Sequence, residues 1–275
     1  MSRRPQPKGS VVLIGGAEDK EGERGILREV AKRARGGPLI VCTAGSSVPY
    51  ELFGIYRPIF RALGVKTVTH VAIPQRDAAD DSAVADAVRA ANVFFFTGGD
   101  QLRITSNMAG SRLYRAMVDL YMGGGTIAGT SAGASALGQT MPMSNVEDEH
   151  RIAAASQLLP ALGLIPDVIV DQHFAQRGRM GRLIAGVAEN PRLLGIGIDE
   201  NTGLVWQRGV FRVMGAGAVY VVDGSDLSAS NVATAPRHSA MSAFDLRLHV
   251  LGSGDGFDAG ARRPLRAEKR FPVIH

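Results

Sequence analysis

Cysteine is almost absent: Cys42 is the only one in 275 residues. It has no partner for an intrachain disulfide, and a four-cysteine zinc site is excluded. This fits a reducing compartment. Long apolar runs are missing from the beginning of the chain. Behind the basic opening at residues 1–8, the run Val11-Val12-Leu13-Ile14 is four residues long. A signal peptide needs about 7 apolar residues and a membrane span about 18, so the expectation is a soluble, cytoplasmic protein. Aromatic residues are only 6 % of the chain, and the +5 formal charge is dispersed. That leaves little for a base-stacking platform, and no nucleic-acid partner is expected. The positive balance suits acidic substrates better. No Gly-x₄-Gly-Lys-Ser/Thr occurs, and no Gly-x-Gly-x-x-Gly opens a helix, so no nucleotide cofactor is expected.

What is present reads as a folded enzyme. Apolar residues make up 45 % and charged residues 21 %, which argues against a disordered chain. In the first half, short apolar runs at 11–14, 39–42, 67–71, 93–96 and 126–128 read as strands. They alternate with helical spacing around Ile26–Ala31 and over 49–63, 81–91 and 113–122. Val93-Phe94-Phe95-Phe96 is apolar at every position, as expected where both faces are covered. The second half gives strands at 167–170 and 194–198 around a helix at 181–188. Three runs at 204–207, 210–214 and 219–222 then read as an antiparallel meander at one edge. The expected fold is α/β: a three-layer sandwich around a mostly parallel sheet with a small antiparallel edge. One domain is expected over 10–250, with flexible ends at 1–9 and 252–275.

The sharpest chemical signal is Gly129-Thr130-Ser131-Ala132-Gly133-Ala134, which follows a strand and precedes helix-compatible residues. In Gly-x-Ser-x-Gly the serine sits on a tight turn with its hydroxyl projecting, and the Ala132 amide can donate to an oxyanion. Such a serine needs a base. His173, in Asp171-Gln172-His173-Phe174, directly follows a strand, at the rim where parallel sheets place their sites. His150 lies in an acidic run, and His238, His249 and His275 fall in the irregular tail. A carboxylate should orient the imidazole, and the residues leave three candidates open: Asp171, Asp199 and Glu200. Beside His173 stand Arg177, Arg179 and Arg182, suited to binding carboxylates. Cations at a helix start are electrostatically misplaced unless an anion is near. The turn Thr97-Gly98-Gly99-Asp100-Gln101 reaches the same rim, where its amides can complete an oxyanion hole and Gln101 can bond substrate amides.

Five ordered segments resemble the cyanophycin-hydrolysing serine peptidases of family S51: Gly15-Gly16-Ala17-Glu18-Asp19, Thr97-Gly98-Gly99-Asp100-Gln101, Gly129–Ala134, Asp171-Gln172-His173-Phe174 with its arginines, and Gly197-Ile198-Asp199-Glu200. The resemblance runs from about Val11 to Val222. It implies a flavodoxin-like fold of the class I glutamine amidotransferase type. It also implies Ser131 as nucleophile, His173 as base and Glu200 as the acid, with Gly99 and Ala132 at the oxyanion. Gln101, Asp171, Gln172, Arg177, Arg179 and Arg182 fall on the family's substrate pocket. The implied substrate is cyanophycin, a poly-aspartate chain with arginine on each side-chain carboxyl, or else a short aspartyl peptide. No metal or cofactor is implied, and a homodimer is expected.

Overall fold

The computed structural model describes residues 6–143, 158–236 and 239–267. His150, His238 and His275 lie outside these. The first half forms β1 (Ser10–Ile14), α1 (Gly25–Lys32), β2 (Leu39–Cys42), α2 (Pro49–Ala62), β3 (Val68–Val71), α3 (Ser82–Arg89), β4 (Val93–Phe96), α4 (Gln101–Met108), α5 (Arg112–Gly123) and β5 (Thr126–Thr130). Apolar alternation decides which face each strand residue serves. Val12, Ile14, Val41 and Phe95 pack with Leu27, Val30 and Phe60 of α1 and α2. Val11, Leu13, Phe94 and Phe96 point into the other core, which takes in Leu113 and Met117 of α5.

The second half forms α6 (Ala132–Ser135), β6 (Thr140–Pro142), β7 (Leu158–Pro160), β8 (Val168–Gln172), α7 (Met180–Glu189), β9 (Leu194–Ile198), β10 (Thr202–Gln207), β11 (Val210–Gly215) and β12 (Val219–Asp223). It ends with β13 (Ala229–Ser230), β14 (Ala243–Phe244), β15 (Arg247–Leu251), β16 (Gly256–Asp258) and β17 (Arg263–Leu265). A nine-stranded sheet has the order β17-β16-β11-β10-β1-β5-β4-β2-β3, parallel from β1 to β3. A six-stranded sheet has the order β15-β12-β9-β8-β6-β7, parallel through β6, β8 and β9. The short β13 and β14 pair with each other. Val168, Val170, Ile196 and Ile198 of the second sheet share the core of Val11 and Leu13. Leu183 and Val187 of α7 cover its far face at Ile169 and Val222.

The mixed α/β architecture with a parallel centre is as expected, and three features differ from the sequence reading. The meander is split: β10 and β11 join the large sheet, whereas β12 pairs with β9 in the second sheet. Spacing specifies antiparallel neighbours in sequence but not which sheet takes the third strand. The stretch from 252, expected as a flexible end, adds β16 and β17 to β11. Arg262 pins it further, donating to the carboxylate of the buried Asp223. Helix α4 begins where the sequence shows only a glycine turn, because the Asp100 carboxylate caps it, accepting from the Leu102 amide at 2.8 Å.

Strand register prepares the site. Ile14 lies opposite Thr130, so the turn at Gly15 emerges beside Ser131. Gln172 lies opposite Ile198, so His173 emerges beside Asp199 and Glu200. The two parallel sets therefore deliver three loops to one rim.

Candidate active site

Ser131 leaves β5 with φ 55° and ψ −123°. A left-handed φ on a residue other than glycine costs on the order of 1–3 kcal/mol and persists only when neighbours enforce it. The enforcement is visible. The Ser131 amide donates to the Ile14 carbonyl at 2.9 Å, and the Ser131 carbonyl accepts from the Ala134 and Ser135 amides at 2.9 and 3.2 Å. The Thr130 hydroxyl, one residue earlier, donates to Glu18 Oε2 at 2.6 Å.

His173 is also left-handed, with φ 46°. Its amide donates to the Gly15 carbonyl at 2.8 Å. Gly16 lies flat against the ring: a Cβ there would stand 2.3 Å from His173 Cε1, and its φ of +99° also favours glycine. The imidazole Nε2 lies 2.8 Å from Ser131 Oγ, and Nδ1 lies 2.6 Å from Glu200 Oε1. In this line Nδ1–H donates to the carboxylate and Nε2 is left to accept from the hydroxyl. Burial pushes the His173 pKa below the ordinary imidazole range. The Glu200 hydrogen bond and charge oppose that shift, and Arg177 and Arg179 add to it.

The three acids have separate surroundings. Only Glu200 meets the imidazole. The Asp199 carboxylate is buried and accepts from the Ala175 and Ala218 amides at 2.9 and 3.1 Å. Asp171 is fully buried: Oδ2 accepts from Arg182 Nε at 2.6 Å, and Oδ1 accepts from Arg182 Nη2, the Gln172 amide and Arg179 Nη1.

This corrects the picture of an arginine rim. Arg179 and Arg182 are only 3 % and 4 % exposed. Arg179 Nη1 also donates to the Gln172 carbonyl at 2.6 Å, and Arg182 Nη1 to the Met143 carbonyl at 3.3 Å. The anion that justifies cations at the start of α7 is the protein's own Asp171. Arg177 stays exposed. Gln101 is buried, and its amide donates to the Pro142 carbonyl. Gln172 is buried too, with Oε1 at 3.4 Å from Ser131 Oγ.

Ala132 supplies the first amide of α6, a position without an acceptor inside the helix. Gly99 reaches the same cleft with φ +141°, and a Cβ there would lie 2.2 Å from the Gly45 carbonyl oxygen. The cleft is about 790 Å3, and Ser131 and His173 are among its lining residues. Its wall brings in residues to which the sequence reading gave no role: Glu18, Lys20, Tyr56 and Arg103. Glu18 is buried and accepts from Tyr56 Oη at 2.5 Å. Burial and Glu18 together push the Tyr56 pKa well above the phenol range. The sole hint in the sequence is that Glu18 stands on a glycine turn, because Tyr56 and Thr130 are far away along the chain.

Among the described residues, no group of three or more His, Cys, Asp or Glu is arranged to hold a metal ion. Cys42 is buried, with its thiol pushed up to about 12, which keeps it protonated and inert. No helix among the described residues is long and apolar enough to cross a membrane.

Comparison with known proteins agrees with a hydrolytic site. Residues 11–214 match the model of peptidase family S51. A cyanophycinase of Trichormus variabilis is 38 % identical over 274 residues, spanning 98 % of this chain and 92 % of the relative. One from Geminocystis herdmanii is 35 % identical over 262 residues, spanning 94 % and 96 %. Among solved structures, a peptidase from an acI-B1 actinobacterium superposes with a TM-score of 0.70 over 93 % of this chain and 98 % of its own, at 20 % identity; that likeness concerns the fold.

Proposed function

The chain belongs to peptidase family S51, and from that premise we propose that it is a serine peptidase hydrolysing cyanophycin to β-aspartyl-arginine dipeptides. The substrate follows from relatives similar over nearly the whole chain. The chemistry rests on one observation, the unbroken line from Ser131 Oγ through His173 to Glu200 at 2.8 and 2.6 Å.

In the proposed mechanism His173 Nε2 takes the Ser131 proton as Oγ attacks the carbonyl of an aspartyl unit. Glu200 holds the ring in the tautomer that leaves Nε2 basic and stabilises the imidazolium that forms. The amides of Ala132 and Gly99 receive the charge that develops on the carbonyl oxygen. The imidazolium returns its proton to the leaving amine, and the same residues then activate water to release the acyl group. Arg177 is free to meet the substrate from the rim. Asp171, Arg179, Arg182 and Gln101 act on the substrate pocket through bonds inside the protein, and Gln172 stands beside the Ser131 hydroxyl at 3.4 Å.

Two alternatives differ in substrate and in chemistry. A peptidase for short aspartyl peptides would use the same triad. With Arg179 and Arg182 buried, the charge of the site does not separate the two, and similarity to cyanophycinases carries that choice. A non-catalytic binding protein has no use for an aligned hydroxyl, imidazole and carboxylate. Side-by-side assays on cyanophycin and α-aspartyl dipeptides should show turnover of the polymer, and preference for the dipeptides would replace the substrate. Fluorophosphonate labelling should be abolished by Ser131→Ala; labelling that survives would remove the nucleophile. The cytoplasmic location and the homodimer belong to this proposal too. Fractionation of cells and sedimentation of the purified protein check them.

A further inference from the structure

The cleft beside Ser131 holds charge that the triad does not use. Glu18 is turned into the protein, its side chain 1 % exposed: Oε1 receives Tyr56 Oη and lies 3.1 Å from Lys20 Nζ, and Oε2 receives Thr130. Asp100, exposed at the start of α4, caps that helix through Oδ1. The cations of the same wall are not saturated. An ammonium has three N–H donors, and the contacts of Lys20 with the Glu18 carboxylate and carbonyl use two. The Lys20 ammonium stands 5.4 Å above the Tyr56 ring and its side chain remains 32 % exposed. Arg103, half-buried on the α4 side, makes no ion pair among the described residues. Val48, Leu52 and Ile55 of the same wall are apolar.

We infer that this wall is a carboxylate-binding subsite, in which Lys20 and Arg103 hold free carboxylates of the substrate chain and Glu18 with Tyr56 fixes the Lys20 ammonium. The inference rests on the peptidase reading for the identity of the chain that enters, and it moves carboxylate recognition away from the buried Arg179 and Arg182. In cyanophycin each arginine carries such a carboxylate. The Glu18 side chain is too buried, at 1 % exposed, to meet the guanidiniums of that polymer, and Asp100 is the exposed acid among the lining residues of this wall. Glu18 acts as a positioning residue, through Lys20 and through the Thr130 hydroxyl.

The test compares wild type with Lys20→Met, Arg103→Gln and the double variant in two ways. On cyanophycin, each single change should raise KM about tenfold, the loss of one charge-assisted hydrogen bond, with kcat changed less than about threefold, because uniform binding is lost rather than transition-state contact. Lys20→Arg should restore KM. Separately, poly-L-aspartate should slow labelling of Ser131 by a neutral fluorophosphonate in the wild type and not in the double variant. Labelling without competitor reports that the serine is still reactive, so a collapsed fold is distinguished from a lost subsite. KM values within twofold of wild type, or protection by poly-L-aspartate that persists in the double variant, would overturn the subsite. A wild type that leaves cyanophycin uncut but is protected by poly-L-aspartate would overturn the substrate and keep the subsite.

Discussion

Two charged clusters flank Ser131, one from each sheet, and they use the same residue types to opposite ends. Asp171, Arg179 and Arg182 on the second sheet are all less than 5 % exposed and bonded to one another or to backbone carbonyls. Beside the first sheet the buried acid Glu18 pairs with Lys20 alone, and the cations Lys20 and Arg103 reach an open cleft. Burial decides the difference. A guanidinium removed from water must find its partners inside the protein, so the buried cluster shapes the fold, and the half-open one is left to meet a ligand.

The comparison can be broken at several depths. The largest effect is at the hinge between the clusters: Ser131→Ala should lower turnover of cyanophycin at least about 10⁴-fold with an unchanged circular dichroism spectrum, and a smaller loss would shift the chemistry to another group. On the closed side, Asp171→Asn leaves two buried guanidiniums underpaired and should cost about 3–5 kcal/mol in urea unfolding. Arg103→Gln, on the open side, should stay within about 0.5 kcal/mol. Equal losses would erase the distinction. At the ring shared by both sides, Gly16→Ala must push His173 aside and should lower kcat by about 10²-fold, and its left-handed backbone should also lower the unfolding midpoint, by about 1 kcal/mol of stability or more. The smallest effect is electrostatic. His173 must be neutral to accept the serine proton, so kcat/KM should fall as pH drops through its pKa, and burial places that fall below the ordinary imidazole range. Arg177 helps to hold the pKa down. Arg177→Gln should therefore move the acid limb of the pH profile upward. An unmoved acid limb would mean that Arg177 is not felt at the ring.

Much of the site is legible in the sequence because it lies at strand ends. A strand followed by Gly-Thr-Ser-Ala-Gly, and another followed by Gln-His, place two groups on one rim by pattern alone. The acid is less legible. Asp171, Asp199 and Glu200 all sit at strand ends, and what separates them is which buried donors surround each, a property of packing rather than of spacing. The arginines are misread for the same reason: three guanidiniums beside a base resemble a ligand clamp until Asp171 is seen between two of them. Glu18 is invisible because its partners lie on α2 and β5. Strands β16 and β17, with Gly-Phe-Asp and Arg-Pro-Leu, are too short to show alternation, and only their pairing with β11 reveals them.

That last pairing has a consequence for how the molecule keeps to itself. Strand β17 closes one margin of the nine-stranded sheet with three residues, one of them Pro264, which has no N–H to offer a newcomer, and another the exposed Arg263. A chain stopped after Leu251 would bare Val210, Phe211 and Arg212 of β11, a ready template for strangers to zip onto. The last described strands thus guard solubility as much as shape.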